Sequence, residues 1–99
     1  LYRINVKKVD KNIIHLRGKF GMFYEHNLPN LNLISKLISG KVQTITYFGF
    51  KKEELYKFFE KEKPAGVDRI VPIGTALDIG PIWDGHDIIN VLSREVEIK

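Results

Sequence analysis

No cysteine occurs in the chain. That excludes a disulfide framework, a cysteine-ligated zinc site and a thiol nucleophile within these residues. No run of about 18 or more apolar residues is present, so no transmembrane helix is expected. Leu1 to Lys8 alternates apolar and polar residues and lacks the apolar core of a signal peptide, which makes a cytoplasmic location the expectation. Methionine occurs once, as Met22, and the first residue is Leu1. The chain is therefore expected to be processed, trimmed or cut from a longer polypeptide. Internal repeats, low-complexity tracts and linkers are also missing. The 99 residues are one domain's worth at most, and a domain of that size buries only about 60–65% of its unfolded surface. A single partial domain over residues 1–99 is expected, the C-terminal part of the catalytic domain of a larger enzyme.

The formal net charge is +4, a balance compatible with nucleic acid, an anionic membrane or a phosphorylated ligand. The lysines are dispersed, however, and Lys51–Lys63 interleaves them with Glu53, Glu54, Glu60 and Glu62. A nucleic-acid footprint clusters charge of one sign, so this stretch reads as a solvated helix face. No nucleic-acid partner and no membrane span are expected.

Tyr2–Val9 has the apolar spacing of a strand. Asp10-Lys11-Asn12 is a turn signal, and Ile13–Arg17 is a second short strand that makes a β-hairpin of Ile4–Arg17. Phe20–Tyr24 reads as a third strand. Asn30 is positioned to cap a helix in which Leu31, Ile34, Leu37 and Ile38 share one face, with Gly40 past its end. Val42–Phe50 carries apolar groups on both alternating faces, which suits a strand covered on both sides. Lys51–Lys63 is a helix with Leu55, Phe58 and Phe59 inward and Glu53–Lys57 as a side-chain pair. Pro64-Ala65-Gly66 ends it. Val67–Gly74 is a second buried strand, irregular or at an edge because Pro72 has no N–H to donate. Strand, helix and strand form a parallel βαβ unit. Asp84 caps a last helix whose apolar stripe is Ile88, Ile89, Val91 and Leu92, with Asp87 at the capping-box position. Glu95–Ile98 alternates as a short closing strand. The fold class is α/β: N-terminal β-strands followed by a strand-helix-strand-helix parallel layer.

Gly74–Gly80 follows a strand, where open α/β sheets bind ligands. It matches neither G-x-G-x-x-G nor G-x-x-x-x-G-K-[ST], and an ordinary turn explains it as well. Trp83-Asp84-Gly85-His86-Asp87 admits three readings. It is a substrate or cofactor contact with His86 as acid or base, or an aromatic anchor with an Asp84 cap and a tight glycine turn, or a metal site of Asp84, His86 and Asp87. Arg69, among apolar neighbours, must pair or point outward. It either bridges to Asp68, Asp78 or Asp84 or holds a phosphate. His15 and His26 read as surface residues. The candidate substrate contacts are Arg69, Gly74, Trp83, Asp84 and His86, with no catalytic residue and no metal ligand assigned.

Gln43-Thr44 in a strand, Gly66-Val67-Asp68-Arg69-Ile70-Val71-Pro72-Ile73-Gly74, and Trp83-Asp84-Gly85 opening a final helix that ends near Arg94 together resemble the C-terminal end of the LuxC-like acyl-CoA reductases, relatives of the aldehyde dehydrogenases. The match runs from about Gln43 to Arg94 and is looser before that. The resemblance implies the end of an aldehyde dehydrogenase-like catalytic domain. It also implies reduction of a fatty acyl-CoA to the aldehyde with NADPH, through a thioester on an enzyme cysteine. With no cysteine here, that nucleophile and most of the cofactor domain are expected upstream. The resemblance further implies a homo-oligomer, and a fragment inactive alone. Two other readings stand beside it. One is a polyanion-binding module, drawing on the basic charge and on Phe23, Tyr24 and Tyr47. The other is a structural or oligomerisation domain built on the N-terminal strands.

Overall fold

The computed structural model describes residues 1–99, apart from the side chain of Ile14. It is a small mixed α/β fold with short strands and few helices. In chain order these are β1 (Tyr2–Asn5), a 3-10 turn (Lys11–His15), β2 (Met22–Glu25), a 3-10 helix (Leu31–Lys36), β3 (Thr44–Tyr47), α1 (Lys52–Glu62), β4 (Arg69–Pro72), β5 (Ile82–Trp83), β6 (His86–Asp87) and α2 (Ile88–Leu92). The strands form three separate pairs: β1 with β2 and β3 with β4, both parallel, and β5 with β6, antiparallel. No helix is long and apolar enough to cross a membrane among the described residues.

The parallel βαβ expectation is met by β3, α1 and β4, with Ile45 opposite Ile70 and Thr46 opposite Val71. At the start of α1, the Glu54 carboxylate accepts from the Lys51 backbone N–H at 2.8 Å, which satisfies the chain entering the helix as a capping box does. At its end, Lys63 itself takes a left-handed conformation (φ 41°) and donates its N–H to the Phe59 carbonyl. Pro64-Ala65-Gly66 therefore follows the stop and does not make it. The expected Glu53–Lys57 pair forms no ion pair among the described residues; Lys61 and Glu62 approach at 3.8 Å instead.

The N-terminal hairpin does not form. Ile13–Arg17 is not a strand, because Asp10 accepts the Asn12 N–H on its carboxylate at 2.8 Å and starts a 3-10 turn. That turn lets the chain cross over, so β2 returns parallel to β1. The register sets Arg3 opposite Phe23 and brings its guanidinium onto Glu25 in a two-toothed ion pair. This hydrogen-bonded partner raises the Arg3 pKa and lowers that of Glu25 below the ordinary carboxylate range.

Three further expectations are corrected. Leu31–Lys36 is a 3-10 helix whose Asn30 makes no side-chain cap bond; Ser35 Oγ instead donates to the Asn32 carbonyl and reaches Glu62 of α1 at 3.2 Å. The strand within Val42–Phe50 is not covered on both sides, since Thr46 is exposed and Thr44, Ile45 and Tyr47 are only half-buried. Glu95–Ile98 is fully exposed and forms no strand, as no neighbour lies beside it to complete a ladder.

The core is minimal. Ile38 (7% exposed) and Phe58 (5%) are the buried apolar side chains among the described residues, and the Phe58 and Phe59 rings meet edge to face at 5.0 Å. The radius of gyration is 17.1 Å, against about 13 Å for a compact domain of 100 residues. Large apolar side chains such as Phe48, Leu77, Ile79 and Leu92 stand in solvent.

Candidate functional site

Of the residues singled out in the sequence, the structure brings Trp83 onto Arg69. Arg69 lies on β4, half-buried. Its Nη1 donates to the Ala76 carbonyl at 2.8 Å and its Nη2 to the Asp78 carbonyl at 3.1 Å. The guanidinium carbon sits 4.0 Å from the centre of the Trp83 ring. A planar, permanently charged fork is well shaped for such a position, since it bonds two carbonyls in its plane while its face stacks on the indole. Of the readings left open for Arg69, the carboxylate bridge is not what forms among the described residues. The guanidinium instead ties the Thr75–Asp78 turn and the Trp83 hairpin to β4.

The Asp84-Gly85 step is a hairpin turn. Both residues have positive φ (49° and 79°), the combination that Asp-Gly favours in a two-residue β-hairpin. It brings His86 opposite Trp83 and Asp87 opposite Ile82, and the Ile88 N–H closes the hairpin on the Pro81 carbonyl at 2.9 Å. Asp84 therefore cannot cap the last helix. Asp87 does so, accepting the Asn90 N–H at 3.1 Å. The tight-turn reading of Gly85 is met, and a side chain there would press on the Asp68 carboxylate at 3.0 Å. Asp84, His86 and Asp87 form no metal-holding group among the described residues. His86 is exposed on the hairpin.

Gly74 has φ 95° with open space where a Cβ would stand, and Thr75 Oγ1 donates back to the Pro72 carbonyl at 2.9 Å. The Gly74–Gly80 segment runs into a hairpin and not into a helix. The short α2 beyond it already has the Asp87 carboxylate at its start, an anion where a phosphate would need to lie. These residues do not form a dinucleotide-phosphate cradle for NADPH.

Sequence reasoning missed the tightest point of the motif. A Cβ on Gly66 (φ 87°) would lie 2.6 Å from the Ser39 carbonyl oxygen and 3.1 Å from that of Val42. Val67 follows with φ 65°, a costly conformation for a β-branched residue. The return is the start of the ladder: Val67 N–H donates to the Val42 carbonyl at 2.7 Å and Asp68 N–H to that of Gln43 at 2.8 Å. The available signal was the Gly66-Val67 step immediately before a strand.

Two apolar hollows lie away from this cluster. One, of about 320 Å³, is lined by Tyr47, Lys52, Leu55, Tyr56, Phe59 and Ile70, between α1 and the β3–β4 pair. The other, of about 310 Å³, includes Val6, Tyr24, Leu37, Val42 and Ile45. His26 beside it bonds the Val6 carbonyl through Nδ1 at 2.6 Å and is half-buried, where a surface position was expected.

Comparison with family models, with curated proteins and with solved structures finds no match to the chain.

Proposed function

We propose that this chain is the closing part of the catalytic domain of a LuxC-like acyl-CoA reductase, an aldehyde dehydrogenase-type enzyme. The parent enzyme reduces a fatty acyl-CoA to the aldehyde, with an enzyme cysteine outside these residues carrying the acyl group as a thioester. NADPH supplies the hydride when bound elsewhere in that enzyme. This segment contributes no reacting group. Its part is a frame: Arg69 locks the turn after β4 onto the Trp83 hairpin.

The observation that carries the reading is the joining of the two motif segments. Gly66–Gly74 and Trp83–Gly85 are joined by the Arg69–Trp83 stack. Residues that resemble one family pattern thus serve one structural purpose. A second support is the small core, which leaves apolar faces of the kind that a larger domain covers. The polyanion-binding alternative gains less, because Arg3 and Arg69 are engaged by Glu25 and by backbone carbonyls.

The test is acyl-CoA-dependent oxidation of NADPH by the full polypeptide that contains this sequence, with trapping of the acyl group on a cysteine. The expected result is aldehyde formation by that polypeptide and none by the 99-residue chain alone. A parent polypeptide with neither an acylated cysteine nor acyl-CoA-dependent oxidation would refute the proposal.

A further inference from the structure

The hollow of about 320 Å³ between α1 and the β3–β4 pair has no part in the reductase reading. On α1, Lys52, Leu55, Tyr56 and Phe59 stand three and four residues apart, the spacing that puts side chains on one helical face. On the sheet, Ile45 lies opposite Ile70. Tyr47 is two residues further along β3, so Tyr47 and Ile70 share a face. Helix face and sheet face both come from this chain, and the walls of the hollow need no covering partner. Phe59 is held in place by its edge-to-face contact with the buried Phe58.

Leu55, Phe59 and Ile70 make the lining apolar. Its polar groups are the Tyr47 and Tyr56 hydroxyls and the Lys52 ammonium. Among the described residues, none of the three has a hydrogen-bond or ion-pair partner within the protein. No acidic side chain lines the hollow, so its one formal charge is positive. Phenol hydroxyls can donate to an anion, and an ammonium only donates. An apolar pocket with a few donors is the usual composition of a small-ligand site, and this volume lies at the small end of such sites.

We propose that this hollow binds a small aromatic carboxylate. The ligand ring packs against Tyr47, Tyr56 and Phe59, which favour offset or edge-to-face partners. The carboxylate accepts from the Lys52 ammonium in a charge-assisted bond, with the tyrosine hydroxyls as further donors. A single lysine is a point charge suited to a monoanion, whereas bidentate recognition of a phosphate calls for a guanidinium, and none lines the hollow. Three of the six lining side chains are aromatic, which favours a flat ring over an aliphatic chain. The hollow lies apart from the Arg69–Trp83 cluster, and failure of the proposal leaves the reductase reading standing.

The experiment is titration of the 99-residue chain with phenylacetate, read by calorimetry and by amide NMR shifts. Phenylacetamide and hexanoate serve as the neutral and the aliphatic counterparts. Saturable one-to-one binding is expected, with a Kd of about a millimolar or tighter and shifts centred on Tyr47, Lys52 and Tyr56. Phenylacetamide binds about threefold more weakly or worse, and hexanoate is weaker too. Lys52→Gln brings phenylacetate down to the affinity of phenylacetamide and leaves phenylacetamide unchanged. Tyr47→Phe weakens phenylacetate by about fivefold with the circular dichroism unaltered. Lys57→Gln, which removes the same charge from α1 outside the hollow, leaves the affinity as it was. No saturation up to about ten millimolar, equal affinity for phenylacetate and either counterpart, or shifts centred on the second hollow at Val6 and Tyr24 overturns the proposal.

Discussion

Gly66→Ala is the most informative single change. Two costs meet at this residue and can be separated. The first is conformational: φ 87° is a left-handed value, which costs an L-residue about 1–2 kcal/mol. The second is steric. The new Cβ would meet the Ser39 oxygen at 2.6 Å, the Gly40 Cα at 3.0 Å and the Val42 oxygen at 3.1 Å. All three are backbone atoms, so relief requires the chain before β3 to move away from the chain before β4. Overpacking of that kind costs about 1–3 kcal/mol. The movement would also stretch the Val67–Val42 and Asp68–Gln43 hydrogen bonds that open the ladder. Gly74→Ala is the matched control, since Gly74 has φ 95° with nothing within 4 Å of its added carbon. Gly40→Ala controls for chain entropy, as it has neither the positive φ nor a close neighbour. Urea unfolding followed by Trp83 fluorescence and by circular dichroism is the assay. The expected order of destabilisation is Gly66→Ala, then Gly74→Ala, then Gly40→Ala, with a gap of about 1–3 kcal/mol between the first two. Ordinary domains are stable by only about 5–15 kcal/mol, so the first change removes a large share. Equal effects at Gly66 and Gly74 would refute the close approach of the two chain segments.

Arg69→Lys keeps the charge but loses the planar fork. One carbonyl bond and the indole stack go with it, for an expected loss of about 1–3 kcal/mol; urea unfolding reads the loss, and a red shift of Trp83 emission reads the exposed ring. Emission unchanged from the parent would contradict the stack. The Arg3–Glu25 pair makes a pH prediction with a definite sign. Because the folded-state pKa of Glu25 is lowered by its hydrogen bonds to Arg3, its contribution is fully present above the unfolded carboxylate pKa, about 4.3. The contribution is lost as pH falls through the lower folded value. The melting temperature of the parent relative to Glu25→Gln should therefore shrink on acidification and be flat near neutrality. Both groups are exposed, so added salt should shrink it too. A difference that grows toward low pH would reverse the assignment.

Local chemistry was legible where it depends on near neighbours in sequence. The β3–α1–β4 unit could be read because Thr44–Tyr47 is rich in β-branched and aromatic residues and Leu55, Phe58 and Phe59 share a helical face. The turn at Gly85 could be read because Asp-Gly tolerates two positive φ values in succession. The candidate residues Arg69, Gly74, Trp83, Asp84 and His86 stood out for their unusual chemistry, but their roles were not visible. Whether a guanidinium meets a carboxylate, a phosphate or a carbonyl depends on which loop folds over it. Here the chain up to nine residues on folds back to offer the Ala76 and Asp78 oxygens. Asp84 and Asp87 illustrate the same limit: either carboxylate can cap a helix, and the hairpin register leaves Asp87 to do so.

By itself the sequence determined the element types of the central unit, the lack of any thiol chemistry in these residues and the clustering of distinctive side chains after Gly66. Tertiary structure decided the direction of strand pairing at the N-terminus, the partners of Arg69 and the small extent of the core. The physical reason is range. Periodicity and capping act over a few residues of chain, whereas the Arg3–Glu25 pair that accompanies parallel β1–β2 packing joins groups 22 positions apart, and the tight contact at Gly66 is made with Ser39 and Val42 across the whole length of α1.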